Sequence, residues 1–452
     1  MIDFIKKKNF LIIVLIAFFL LFIGLWEIVS GGYDKQNKAI LFLKKIIPTK
    51  ISRKVRDTIF LIPDLKERNK FLVTVIKKYD QGLNGELFNE EIILSKKNNK
   101  KYLLKEFFLP FKRYDTRMGW AGTKNSKKAH YLAIFKDKVI LISGEGKTIY
   151  FEKKNILNKK LNQIKISNNI KSLLDKNNFE LIGIRDLFID DEKIYISLIF
   201  KNSKGFSMNV YRADLNFENL DFQIFFKTNE YWNNYNVYSG GRFSKYVDGK
   251  ILFTIGYSTI KGAAQNKNSL LGKIVTIDKF TGEANIVSMG HRNPQGLIYI
   301  REKNIIINTE HGPKGGDEIN VNFIKTKKIP NFGWDISSYG IEYDGTDPYK
   351  KNHNKYGFTE PFKYYTPSIG ISQLIYMPNK FNSDSKKYLY VSSLRATSIY
   401  VIIIDEKFNK IIDEDRIYFS QRRIRDIEYD PENDVFLTIF ERIPSLGVLK
   451  LN

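Results

Sequence analysis

Cysteine is absent from all 452 residues. That excludes thiol nucleophiles, disulfide staples and thiolate-bound metals. It also suits, without requiring, a compartment outside the cytoplasm. Histidine is nearly as scarce. His130, His291, His311 and His353 are the four, and none makes the closely spaced pair of a zinc hydrolase. Neither a Gly-x-Ser-x-Gly elbow nor a phosphate-binding loop occurs. Acidic residues are also in short supply, 49 against 73 lysines and arginines, for a formal net charge of +24. The excess is scattered along a chain rich in Lys, Ile and Asn. No recognition motif accompanies it, so a nucleic-acid partner is not expected.

One long apolar run is present, Phe10 to Val29. A helix needs ~20 such residues to cross a bilayer. Lys6, Lys7 and Lys8 precede the run, and the next cation is Lys35. Positive residues stay inside, so the N-terminus is expected in the cytoplasm and the remainder outside, periplasmic in a bacterium. A cleaved signal peptide is the rival reading, but its apolar region is usually shorter, about 7–15 residues. An uncleaved single-pass anchor is preferred, and either reading exports the chain. Residues 1–32 then form a cytoplasmic tip and transmembrane anchor. Residues 33–114 read as a lysine-rich juxtamembrane segment, partly helical, and residues 115–452 as the main domain.

Within the main domain one unit recurs: an apolar run, a tight polar turn and a second apolar run. The turns lie at 136–138, 191–193, 248–250, 301–303, 385–387 and 431–434, and the strands after them begin near Val139, Ile194, Ile251, Ile305, Tyr388 and Val435. Alternation such as Ile251-Leu252-Phe253-Thr254-Ile255 marks each as a β-hairpin. An aromatic fraction of 14%, mostly Tyr and Phe, also suits strands better than helices. Six such units at a fairly regular period imply a repeat architecture. A four-stranded sheet cannot bury both faces alone, and packing sheets around an axis solves that. The expected fold is all-β, a six-bladed β-propeller preceded by one transmembrane helix. The longest interval, Ile305 to Tyr388, is expected to carry an insertion around residues 335–365.

Three segments are dense in special residues. They are Gly290-His291-Arg292-Asn293-Pro294-Gln295-Gly296, then Glu310-His311-Gly312-Pro313-Lys314-Gly315-Gly316-Asp317-Glu318, and finally Gln421-Arg422-Arg423-Ile424-Arg425-Asp426. Gly and Pro imply fixed turns where backbone can approach a ligand. Carbonyls of such a turn, with Asp317 and Glu318 nearby, could hold a hard cation such as calcium. In a strand Arg423 and Arg425 share a face, and two guanidinium groups side by side call for an anion between them. A pair of surface ion pairs would serve equally for that segment alone.

Together these segments resemble the glucose/sorbosone dehydrogenase family, the PQQ-dependent soluble glucose and aldose sugar dehydrogenases. Asn331-Phe332-Gly333-Trp334 and Ser393-Leu394-Arg395 extend the resemblance, which covers roughly residues 180–450. It implies a six-bladed propeller with PQQ, a tricarboxylate quinone, over the axis. It further implies that Arg292 and Asn293 contact the quinone and that Arg395, Arg423 and Arg425 meet its carboxylates. Carbonyls of Gly312 and Pro313 would reach a calcium ion beside the quinone. Glu318 and the carbonyl of Phe332 match a second, structural calcium position. The implied substrate is a sugar or related alcohol.

The departures bear on catalysis. The family's base is a His in a His-x-Gly-Gly-Arg type segment, and here the segment is Tyr238-Ser239-Gly240-Gly241-Arg242. Fifteen residues after that Arg the family has an orienting Asp, and Tyr257 stands there. A phenol with a reference pKa of about 10 is a poor base at pH 7. Ile182-Gly183-Ile184-Arg185-Asp186 resembles a Gly-Gly-Leu-Leu-Asp segment, with Leu181 in place of a preceding Gln. The expectation is a membrane-anchored quinoprotein with an altered or missing base. The alternative is an exported propeller that binds an anionic ligand or a protein partner without turnover. Oligomeric state is not legible.

Overall fold

Residues 84–110, 129–234, 238–324, 328–378, 386–420, 422–441 and 444–451 are described in a computed structural model of the chain. They form six sheets of four or five strands, antiparallel except for one two-residue edge strand. We number the sheets as blades I to VI by their innermost strands. These are His130–Phe135, Glu180–Asp190, Gly240–Lys245, Pro294–Ile300, Ile371–Pro378 and Ile424–Asp430. Each innermost strand packs on the next and the sixth packs on the first, so the ring is closed. The six strands expected after the polar turns are the second strands of the six blades. The six-bladed β-propeller expected from the repeat is therefore the observed architecture.

Each interface between neighbouring blades carries an apolar core. Ile140 and Ile196 meet between blades I and II, and Val210 and Phe253 between II and III. Leu252 and Ile306 meet between III and IV, and Ile307 and Leu389 between IV and V. Tyr390 and Phe436 fill the V–VI interface, and Leu437 and Leu141 the VI–I interface. Successive strand residues point to opposite faces. Leu252 and Phe253 therefore serve different interfaces, as do Ile306 and Ile307. Both faces of each sheet are buried, which is why the second strands read as nearly continuous apolar runs.

Blade VI corrects the expected domain boundary. Its three C-terminal strands are joined by Lys101–Phe108, which pairs antiparallel with Ser445–Leu451, and Leu87–Leu94 pairs outside that. Residues 87–108 thus belong to the propeller and are not part of a juxtamembrane spacer. Closure explains it, since one sheet built from both N-terminal and C-terminal strands ties the two ends of the ring together. Tyr102, Leu104 and Glu106 are buried on one face of the added strand, a period of two that the apolar Leu103 between them obscures. The expected span Phe10–Val29 and the rest of residues 1–83 lie outside the described residues. Among the described residues no helix is long and apolar enough to cross a membrane.

One side chain ties the ring together at its axis. Arg242, from the innermost strand of blade III, is only 2% exposed. Its Nη1 donates to Asp186 Oδ1 of blade II at 2.6 Å and its Nη2 to Asp426 Oδ1 of blade VI at 2.5 Å. Its Nε donates to the carbonyl of Gln295 in blade IV at 2.9 Å. Its guanidinium lies 5.1 Å from the ring of Tyr131 in blade I. The second oxygens of the two carboxylates accept the backbone N–H groups of Phe243 at 2.8 Å and Leu132 at 3.0 Å. Burial, against the pull of Arg242, pushes Asp186 up to about 7, and Asp426 adds to the rise. Removing one partner of a buried ionic cluster costs about 3–5 kcal/mol, because the remaining charges stay buried. Arg242→Met is expected to destabilise the chain by about that amount in urea unfolding. The triple variant Arg242→Met, Asp186→Asn, Asp426→Asn should recover most of the loss. A cost below about 1 kcal/mol for Arg242→Met would mean that the axis does not depend on it.

Candidate functional site

Five innermost strands carry a β-bulge at the level of Arg242. The register shifts fall between Ile184 and Asp186, Gly240 and Phe243, Pro294 and Gly296, Ile371 and Leu374, and Ile424 and Asp426. A bulge leaves a residue out of the ladder and re-aims its side chain. The residues so placed include Arg185, Arg242, Gln295, Gln373 and Arg425. This tier of polar side chains joins the ionic axis to the candidate site.

Hydrogen bonds connect the expected cofactor-binding residues. Arg425 donates from Nη1 to Gln295 Oε1 at 2.8 Å, and Gln295 Nε2 donates to Asn293 Oδ1 at 3.0 Å. Asn293 Oδ1 also accepts the backbone N–H of Gly240 at 3.2 Å. Arg423 donates to the carbonyl of Leu394 at 3.4 Å, and Arg395 to that of Ser368 at 2.8 Å. Arg292 donates from Nη1 to the carbonyl of His311 at 3.0 Å. The structure thus links Arg292, Asn293, Arg395, Arg423 and Arg425 to the segments at this end. The anion called for between Arg423 and Arg425 is the protein's own Glu441, 3.5 Å from the first and 2.5 Å from the second. Burial opposes its charge, but Arg425 and Arg423 outweigh that and hold Glu441 down at about 2. Sequence reasoning missed Glu441. Its one signal is a carboxylate ending the apolar run Val435–Phe440.

Tyr238 and Tyr257 are brought together, as their ungapped spacing implies. Their rings stack at 6.1 Å and 14°. The backbone fixes the pair, with Gly256 N–H on Ser239 O at 2.8 Å, Ser258 N–H on Tyr238 O at 3.0 Å and Tyr257 N–H on Arg292 O at 3.0 Å. Only glycine fits at 256, since a Cβ there would lie 2.1 Å from the Tyr238 carbonyl oxygen. The guanidinium of Arg292 covers the Tyr238 ring at 4.2 Å and faces Trp334 at 5.2 Å. Tyr257 meets Trp334 edge-on at 5.2 Å, and Trp334 packs on Tyr349 of the long insertion at 5.1 Å. Burial pushes the Tyr257 hydroxyl up to about 12, with Arg292 opposing and Tyr238 adding. Tyr257 is therefore a neutral phenol at physiological pH.

The expected metal-binding residues surround a second feature. Gly312 lies so close to Gly316 that a Cβ would come within 2.1 Å of its carbonyl oxygen. The Pro313 carbonyl accepts the Ser368 hydroxyl at 3.4 Å. Asp317 has a structural task, accepting the N–H groups of Gly312, Gly370 and Ile371 at 3.2, 2.7 and 3.0 Å. Glu318 and Glu310, each 4% exposed, share the Asn320 amide at 3.4 Å. Glu310 also meets His291 Nδ1 and the Arg292 N–H at 3.2 Å. His353 Nδ1 lies 3.0 Å from the Phe332 carbonyl oxygen, and its Nε2 lies 3.8 Å from Glu318. Arg292, Glu310, Gly312, Glu318, Phe332 and Trp334 line a small cavity here, of about 10 Å³. Burial and the neighbouring Glu310 raise Glu318 well above the usual carboxylate range. Asn320 Oδ1 is buried without a hydrogen-bond partner. Among the described residues no group of three or more His, Asp or Glu side chains could by itself hold a metal ion. A cation here would rely on Glu318, carbonyl oxygens and water.

Comparison with known proteins places this geometry. The family model described as Glucose / Sorbosone dehydrogenase matches residues 132–443. An uncharacterized protein of Synechocystis is 28% identical over 280 residues, 57% of this chain and 66% of that protein. The aldose sugar dehydrogenase YliI of Escherichia coli is 29% identical over 214 residues, 44% of this chain and 56% of that protein. The chain thus spans less than two thirds of the length of these curated relatives. Among solved structures, a glucose dehydrogenase aligns with a TM-score of 0.61 at 19% identity, covering 72% of this chain and 97% of that one. The apo-form of the soluble aldose sugar dehydrogenase from Escherichia coli aligns at 0.59 and 19%, covering 80% and 99%. The PQQ-bound aldose sugar dehydrogenase from Streptomyces coelicolor aligns at 0.50 and 18%, covering 71% and 92%. At these identities the structures establish the fold, and the family match over residues 132–443 establishes the lineage: this chain belongs to the glucose/sorbosone dehydrogenase family.

Proposed function

We propose that the chain is a membrane-anchored, PQQ-dependent quinoprotein of the aldose sugar dehydrogenase kind, with an altered catalytic base. One observation carries this reading: Arg425 joins Asn293 through Gln295, and Glu441 is the carboxylate that pairs with both Arg425 and Arg423. The set suits a planar tricarboxylate, because guanidinium forks pair with carboxylates. Arg423, whose side chain is 39% exposed, and Arg395 would take carboxylates of the quinone, together with Arg425. Arg292 and Asn293 would hold its quinone edge. Bound there, PQQ supplies an acceptor for hydride from the carbon that bears a sugar hydroxyl. Trp334 and Tyr349, both buried, wall the site from water. Residues 10–29 would hold the propeller outside the cytoplasm.

Oxidation of an alcohol also requires an acceptor for the hydroxyl proton. Tyr238 stands at that position, with the Arg292 guanidinium 4.2 Å from its ring. Tyr257 is a neutral hydroxyl and cannot act as the orienting carboxylate would. These tyrosines also favour a second reading, a site that binds an anion without turnover. The residues about Glu318 fit a calcium ion, which would neutralise two buried carboxylates and satisfy the Asn320 oxygen. Calcium there would hold the 310–318 turn and the Phe332 segment together.

The test is titration of the full-length chain with PQQ, followed by absorbance and calorimetry in the presence of calcium. Stoichiometric tight binding is expected, and no binding at high micromolar PQQ would remove the quinoprotein reading. With dye reduction as the readout, Tyr238→Phe should abolish turnover of any sugar or alcohol that the wild type oxidises. The pair Tyr238→His with Tyr257→Asp should raise turnover by about 100-fold or more, the low end of a general base's contribution. Binding without turnover in either protein would establish the second reading. Separately, EGTA should lower the melting temperature by a few degrees and calcium should restore it. Glu318→Gln should no longer respond to either. An unchanged response in Glu318→Gln would place the cation elsewhere.

A further inference from the structure

Arg185 has no role in the site described so far. It is 6% exposed and occupies the bulge of blade II. Among the described residues it makes no hydrogen bond or ion pair, and its Nε is buried without a partner. The other deeply buried arginines each have at least one hydrogen-bond or ion-pair partner, although Arg292 Nε is also unpartnered. Arg242 has Asp186 and Asp426, Arg422 has Glu91 and Glu106, and Arg292 has the His311 carbonyl. The titratable groups in range of Arg185 are Tyr131, then Arg425 and Arg242, which repel it, and Glu441. Glu441 is already committed to Arg423 and Arg425. Asp186, the next residue in the chain, turns instead to Arg242. The bulge separates the two: Asp186 stays in the ladder opposite Ser197, and Arg185 is left out of it. Gly241 lets the strands close around Arg185, since a Cβ there would lie 2.5 Å from the Arg185 Cβ.

A buried cation without a counter-charge is strongly unfavourable, whereas a bidentate carboxylate satisfies a guanidinium fork. We propose that Arg185 is the centre of an anion subsite beside Arg425 that takes a carboxylate of the ligand. Arg425 lies in range of Arg185, and its partner Glu441 also reaches the partly exposed Arg423. At the matching place the resembling family segment carries an apolar residue, so the feature distinguishes this chain. The carboxylate has two possible sources, the quinone itself or an acidic sugar. Only the first source rests on the quinoprotein reading.

The experiment compares the full-length wild type with Arg185→Leu. It measures PQQ affinity by titration, and melting temperature with gluconate against chloride at matched ionic strength. Loss of PQQ affinity of about 10-fold or more, with no gluconate response in the wild type, assigns the quinone's carboxylate. Unchanged PQQ affinity, with a gluconate-induced rise in melting temperature that Arg185→Leu loses, assigns an acidic sugar. If the wild type binds no PQQ, the quinoprotein reading fails and the gluconate comparison alone decides the subsite. In buffer without carboxylates Arg185→Leu should melt no lower than the wild type, since it removes an uncompensated charge. A lower melting temperature there would reveal a structural partner and overturn the proposal. So would PQQ affinity within twofold of wild type together with no difference in gluconate response.

Discussion

Arg242 reaches from blade III to carboxylates of blades II and VI, to a carbonyl of blade IV and to a tyrosine ring of blade I. Apolar packing at the six interfaces supplies area but little direction, because hydrophobic burial does not depend on angle. The axis supplies the direction. A guanidinium has five N–H donors in a fixed plane, so each acceptor must arrive at a set angle. The cluster therefore fixes how four of the innermost strands face one another. The strand pairing of Lys101–Phe108 with Ser445–Leu451 then closes the outside of the same ring.

The site inherits its geometry from this axis. Arg425 and Asp426 are adjacent, as are Arg185 and Asp186, and in each pair the carboxylate binds Arg242. In a regular strand neighbours point to opposite faces, and a bulge relaxes that rule. Bulges in five innermost strands allow one residue to lock the ring and its neighbour to be presented elsewhere. Glu441 sits between Arg423 and Arg425 and keeps two like charges close without a ligand. It lowers the repulsion that would otherwise oppose folding of an arginine-rich end.

Blade count and second strands were legible because both faces of each sheet are buried, which leaves long apolar runs between polar turns. The site residues around Arg292 and Arg423 were legible from dense Gly, Pro and Arg segments. The Tyr238–Tyr257 pairing followed from ungapped spacing. Other features were not legible, for physical reasons. Lys101–Phe108 joins a blade whose three C-terminal strands lie more than 300 residues later, and nothing local announces a partner at that distance. Arg242 was readable only as the end of a motif, since its partners are set by ring closure. Glu441 and Arg185 are single charged residues whose meaning depends on a bulge, and a bulge has no reliable sequence sign.

The tyrosine pair is held by a frame that does not depend on its side chains. The hydrogen bonds that position residues 238 and 257 are backbone bonds, closed by Gly256 and the Arg292 carbonyl. None of them requires a particular side chain at 238 or 257. An imidazole and a carboxylate would form an ionisable pair there, needing polar surroundings and an ordered proton. Two phenols stack with Trp334 and Tyr349 into an aromatic wall, and Arg292 lies against it. Such a wall gains from burial and from the cation above the ring. Backbone bonds thus set where residues 238 and 257 lie, while cation and aromatic packing of the side chains set what they present to the site.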